Sequence, residues 1–145
     1  MPSATPTMED YLKCIYIMIQ RKGYARAADI AETLDVQRSS VSRMVQKLDD
    51  KQYLIYEKHR GFILTSEGNR LGEWYVYRNQ MLKRFLETVG ISEYHIDQEV
   101  EGIEHHFSAD SVKRIAGMIK YFDENMDRVT RLREIQYSES NDIDN

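Results

Sequence analysis

In the segment DQEVEGIEHH, Asp97, Glu101, Glu104 and His105 stand at relative positions 0, 4, 7 and 8. At about 100° per residue a helix would gather them on one arc, bringing two or three oxygens and an imidazole together. Glu104 and His105 are adjacent in sequence and about 100° apart around such an axis, so they would approach one ion from two sides. Mixed oxygen and nitrogen ligands suit a first-row divalent ion (manganese, iron, cobalt or zinc) better than a thiolate-seeking one. The competing reading is a solvated polar face, the commoner fate of a Glu- and His-rich helix. His95 and His106 carry only that second reading. Metal-assisted hydrolysis is the enzymatic alternative, but no separate acid–base pair or nucleophile elbow accompanies the cluster, so an enzyme is not expected.

A second set lies upstream. A recognition helix needs an apolar face toward its own domain and small or hydrogen-bonding residues at its exposed N-terminal end, where it meets base edges. Gln37, Arg38, Ser39, Ser40, Ser42 and Arg43 fit that place, while Val41, Met44, Val45 and Leu48 form the stripe behind them. Arg43 is the best direct reader, because a guanidinium pairs with both acceptors of guanine. Ser39, Ser40, Gln46, Lys47, Lys58 and Arg60 suit phosphate contacts, which position a protein without reading sequence. Arg26 belongs to the same DNA-facing set. Taken singly, most of these residues read equally well as solvated polar side chains; the ordered set is the more specific signal.

Recognisable elements must carry these residues. Tyr11, Leu12, Ile15, Tyr16 and Ile19 recur at helical spacing and Gly23 follows, which predicts a first helix stopped by a glycine. It places Asp10, Lys13 and Cys14 on a neighbouring face. ARAADIAETL and SSVSRMVQKLDD, joined by a tight turn, predict a helix-turn-helix. YLIYEKHRGFILT then reads as a β-hairpin with Lys58, His59, Arg60 and Gly61 at its tip, completing a winged helix. Thr65 is placed to cap a helix over 66–89, ended by Gly90. Further helices are expected over 95–107, 110–122 and 124–137, with frayed ends at the first seven residues and at SESNDIDN. The fold class is mainly α with a small β-hairpin wing: a winged helix-turn-helix DNA-binding domain over 1–71 and a helical metal-sensing and dimerisation domain over 72–145. The long helix, with Trp74, Tyr75, Leu82, Phe85 and Leu86, carries more apolar surface than a small winged domain can cover, which predicts a two-fold dimer.

Composition is compatible with this reading and excludes others. The 145 residues, 41% hydrophobic and 30% charged, are enough for a folded core and too apolar for a disordered chain. The net charge of -4 hides an asymmetry. Residues 21–60 hold nine Lys/Arg against six Asp/Glu, whereas 76–145 hold nine against fourteen. The basic front half suits phosphates and the acidic rear half cations. Cys14 is the single cysteine, which forbids an intrachain disulfide and every CxxC zinc pattern. With no basic and apolar leader in the first residues and no run of about 18 apolar residues, a reduced, cytoplasmic protein without membrane spans is expected.

In order and spacing, MEDYLKCIY, GYARAADIAETLDV, SSVSRMVQKLDDKQYLIYEKHRGFILTSEG and VEGIEHHFS resemble the manganese transport regulator branch of the diphtheria toxin repressor family, over roughly Met8 to Glu124. The resemblance implies a cytoplasmic homodimer that binds a palindromic operator in double-stranded DNA when its metal is abundant and represses genes for metal uptake. It implies Mn2+ as the ion, and a short form without the C-terminal SH3-like domain. It also implies that the apolar stripes of 71–89 and 112–122 form the dimer interface.

The resemblance further implies two ions per subunit, held by an Asp and a Glu of the first helix, a His of the long helix, and Glu, Glu and His of EGIEHH. Asp10, Glu101, Glu104 and His105 match that set. Lys13 and Asn79 replace the first-helix Glu and the long-helix His, and both changes strike the same ion. A lysine cannot ligate while it is an ammonium, and it puts positive charge where a cation would sit. Three versions follow. One divalent ion remains on Glu101, Glu104 and His105; or no metal is needed because Lys13 pairs permanently with the carboxylates; or Cys14 serves as a replacement ligand.

Overall fold

The computed structural model describes residues 6–57, 59 and 61–143. They form two compact units, Met1–Tyr77 and Arg78–Asn145, divided within one long helix.

The first unit is a winged helix. Helix α1 (Met8–Lys22) opens on a capping box in which the Thr7 hydroxyl accepts from the Asp10 amide and the Asp10 carboxylate accepts from the Thr7 amide. It ends at Gly23, in the left-handed region at φ 84°. Helices α2 (Ala27–Leu34) and α3 (Arg38–Asp50) follow, joined by a turn in which Asp35 takes φ 52°. Leu12, Ile15, Ile30, Val41 and Leu48 are almost wholly removed from solvent, so the stripes read from the sequence converge on one core.

Strands β1 (Leu54–Glu57) and β2 (Gly61–Leu64) pair antiparallel, Leu54 opposite Leu64 and Glu57 opposite Gly61. Ala25 adds a bridge to Phe62, with hydrogen bonds in both directions. Gly61 makes this approach possible: its φ is +95°, and a Cβ there would lie 2.3 Å from the Ala25 carbonyl oxygen. The wing tip residues Lys58 and Arg60 lie outside the described residues.

Helix α4 (Ser66–Val89) is capped by Thr65, whose Oγ1 accepts from the Gly68 amide at 3.1 Å. Its apolar stripe is divided. Leu71 and Tyr75 pack on the core of the first unit, while Leu82 and Leu86 are buried with Ile96 and Val100 in the core of the second. One periodicity thus serves two cores within the subunit. Val112 and Ile119 of the 112–122 stripe are buried as well.

The second unit continues with α5 (Glu93–Ile103), a single 3-10 turn (Glu104–His106), α6 (Ala109–Asp123) and α7 (Met126–Ile143). Two expectations are corrected here. The helix over 95–107 stops at Ile103, so Asp97, Glu101, Glu104 and His105 do not share one α-helical arc. The tighter 3-10 winding turns each residue about 120° instead of 100° and sends Glu104 inward. The C-terminal segment is also not frayed as far as Ile143: α7 runs on through it, held at Val89 by hydrogen bonds from Arg133 and Gln136.

Candidate nucleic-acid interface and metal-binding residues

Helix α3 presents the predicted reading face. Gln37 is its N-cap and makes no side-chain capping bond, so the first amides of the helix are not closed off by its own cap. Gln37, Arg38, Ser39, Ser42, Arg43, Gln46 and Lys47 are exposed and Ser40 is half-buried, while Val41 and Leu48 anchor the opposite face. Arg43 Nη2 reaches Ser40 Oγ at 3.5 Å, a long contact that leaves the guanidinium able to turn toward a base edge. Gln46 donates to Asp50 at 3.1 Å and is partly committed within the helix.

Arg26 sits at the N-cap of α2, exposed, with its guanidinium 4.8 Å from the centre of the Tyr24 ring. Lys22 lies 5.9 Å from the same ring and pairs with Asp29 at 3.0 Å. Tyr24 therefore organises two cations beside the helix-turn-helix. The sequence reading missed it, although the pattern Lys22, Tyr24, Arg26, with cations on either side of an aromatic, carried the signal. Tyr56 is exposed on β1, its ring 5.8 Å from that of Phe62.

On α1, Asp10 is held by the Thr7 amide at 2.8 Å and lies 4.0 Å from Lys13 Nζ. The carboxylate matched to a metal ligand thus has a cation beside it in its own helix. Cys14 is buried in the first core among Tyr11, Leu12 and Ile15. Burial pushes its thiol up to about 11, against the opposing charge of Lys13. Burial likewise raises the Tyr11 hydroxyl above its usual range. A buried thiol of this kind packs as a small hydrophobe.

The second unit holds the other candidates. Glu104 is only 1% exposed. Its Oε2 accepts from Asn79 Nδ2 at 2.9 Å, and its Oε1 lies 3.8 Å from His105 Nε2. The amide satisfies one oxygen of a carboxylate that burial has taken from water. A carboxylate beside an imidazole, with His105 half-buried, is a donor pair that fits a hard or borderline divalent ion. Glu101 is exposed near the end of α5. Asp97 turns away to Lys83 at 2.8 Å, its side chain 83% exposed, and leaves the cluster.

The family models for the iron dependent repressor match in two pieces: the N-terminal DNA binding domain over residues 3–62 and the metal binding and dimerisation domain over 65–132. The HTH-type transcriptional regulator MntR of Shouchella clausii is 53% identical over 132 residues, 91% of this chain and 92% of the relative. That of Geobacillus kaustophilus is 52% identical over 91% of this chain and 94% of its own length. Among solved structures, the manganese regulator SloR superposes with a TM-score of 0.73 at 31% identity, over 81% of this chain and 55% of that one. The metal-dependent transcriptional regulator MtsR gives 0.75 at 27%, with the same coverages of 81% and 55%. The chain spans about 55% of the length of these two solved relatives.

Proposed function

The chain belongs to the manganese-regulator branch of the iron-dependent repressor family and is a DNA-binding, metal-responsive transcriptional repressor, not an enzyme, and from that premise we propose how its residues divide the work. Residues 1–71 engage a palindromic operator as one half of a homodimer, and 72–145 sense the metal and dimerise. Arg43 reads a base edge; Gln37, Arg38 and Ser42 line the groove beside it. Arg26, Ser39, Ser40, Gln46, Lys47, Lys58 and Arg60 hold phosphates. The observation that carries the DNA reading is the exposed polar N-terminal half of α3 set over buried Val41 and Leu48.

The metal side departs from a two-ion design. Lys13 stands beside Asp10 and offsets its charge, so that carboxylate has less need of an ion. Glu101, Glu104 and His105 then hold one divalent cation per subunit, manganese by relationship to the regulators it resembles. Bound there, the cation would bring positive charge to the buried Glu104 carboxylate. The protein works in the cytoplasm, in line with the lack, among the described residues, of any helix long and apolar enough to cross a membrane.

The deciding experiment is a titration of operator binding with manganese, repeated after exhaustive chelation, alongside calorimetric counting of bound ions. One ion per subunit with metal-enhanced binding is expected. Two ions per subunit would refute the reading. None, with full operator affinity under chelation, would mean that the Lys13 ammonium has replaced metal sensing.

A further inference from the structure

Tyr24, Ala25 and Arg26 connect α1 to α2 just after the left-handed turn at Gly23. Ala25 is 1% exposed and exchanges hydrogen bonds with Phe62 of β2, and Arg26 has extended dihedrals, φ -116° and ψ 148°. Extended backbone sends successive side chains to opposite sides, so Tyr24 and Arg26 share the outer side while Ala25 faces the core. Their contact follows: the Arg26 guanidinium carbon lies 4.8 Å from the centre of the half-buried Tyr24 ring. The aliphatic stem is confined as well, since a Cβ at Gly61 would lie 3.2 Å from Arg26 Cγ, which places the stem against the first residue of β2.

A ring face attracts a guanidinium, does not neutralise it, and takes none of its five N–H donors. A carboxylate partner would neutralise the charge and occupy donors. Lys22, 5.9 Å from the centre of the same ring, has that fate, because Asp29 pairs with it at 3.0 Å. A guanidinium held on a ring keeps its charge and its fork of donors for a phosphate.

We propose that Tyr24 is a positioning residue for DNA binding: its ring holds Arg26 at the base of the wing before DNA arrives, so that the phosphate contact does not have to order a long side chain. This rests on the reading of Arg26 as a phosphate contact. Ordering a rotamer-rich side chain on binding corresponds to about two- to tenfold in affinity for each subunit.

The test is a double-mutant cycle in the full chain, Tyr24→Leu and Arg26→Ala alone and combined, titrated with a mixed-sequence DNA duplex over a salt series with Mn2+ present throughout. A mixed-sequence duplex suffices because phosphate contacts do not read bases. Arg26→Ala lowers the affinity and reduces the log–log salt slope by about one per subunit. Tyr24→Leu lowers the affinity about two- to tenfold per subunit in the natural background and has no effect on top of Arg26→Ala. Tyr24→Phe, which keeps the ring, stays near the natural affinity. An equal loss from Tyr24→Leu in both backgrounds, as a purely structural role would give, overturns the proposal, and so does a loss from Tyr24→Phe as large as that from Tyr24→Leu.

If Arg26→Ala changes neither affinity nor slope, Arg26 holds no phosphate, and the reading beneath the proposal fails with it. If Arg26→Ala weakens binding and Tyr24→Leu does not, only the positioning role fails. Should Tyr24→Leu not fold, NMR relaxation of Arg26 Nε in the natural protein decides: a guanidinium already ordered before DNA is added supports the proposal, and one that is mobile there and ordered only on DNA overturns it.

Discussion

Arg43 projects from the exposed side of α3 with a long contact to Ser40, so its removal disturbs little inside the fold. Arg43→Ala is expected to cost about 1–3 kcal/mol of operator affinity and to relax preference at one base position in each half-site. Selection from a randomised operator pool checks this, and an unchanged base preference would show that another residue reads. Restoring acidic and imidazole ligands together, Lys13→Glu with Asn79→His, should raise the number of bound ions and make operator binding more metal-dependent; ion counting by calorimetry decides. Cys14 yields a pH effect of known sign. Its thiol ionises near 11 in the folded protein against an ordinary 9.0, so the unfolded chain loses the proton first as pH rises. Stability from this group is intact below about pH 9 and is lost on the way to about 11. Urea midpoints across that window should fall more for the natural protein than for Cys14→Ala.

At the scale of elements, the wing depends on a contact that only glycine permits. Gly61→Ala would set a Cβ 2.3 Å from the Ala25 carbonyl oxygen at a φ of +95°. The pairing of β2 with Ala25 must then open, at an expected cost of about 1–3 kcal/mol. Faster amide exchange at Phe62 would report it, and operator and random DNA should be bound less well by similar factors, since a wing that holds phosphates does not read sequence. The helix limits at Gly23, Thr65 and Gly90 were legible, because these residues act on their immediate neighbours; the Thr7 cap lay in the segment expected to fray. The 3-10 turn at Glu104–His106 was not, since the residues there have the same periodicity whether the chain winds at 3.6 or 3.0 per turn.

For the whole molecule, the net charge of -4 is compatible with DNA binding because the excess of acidic residues lies in the rear half, while residues 21–60 carry nine Lys/Arg against six Asp/Glu. Several Lys and Arg per subunit displace condensed counterions, and two subunits double the number. Operator affinity should fall with a log–log salt slope of about -4 to -8. A slope near zero would contradict the phosphate contacts. A two-fold protein also requires two half-sites, with centres about 34 Å or a multiple of it apart, and sedimentation at micromolar concentration should show a dimer. A monomer that still bound the operator tightly would contradict the two-fold arrangement.

What the sequence determined by itself is the set of elements and which side of α3 stays in solvent. Caps, stripes and turn residues act over three or four positions, and an amphipathic helix with Val41 and Leu48 inward has no choice but to turn Ser42 and Arg43 outward. The resemblance also located Lys13 and Asn79 as departures before any contact was known. Tertiary structure alone decided what those departures do. That α4 divides its apolar stripe between two cores, that Asp97 leaves the acidic cluster for Lys83, and that Asn79 meets Glu104 all depend on side chains 14 or more positions apart. Such pairs meet only after the chain has folded back on itself, and one-dimensional spacing carries no information on which oxygen of a buried carboxylate an amide will reach.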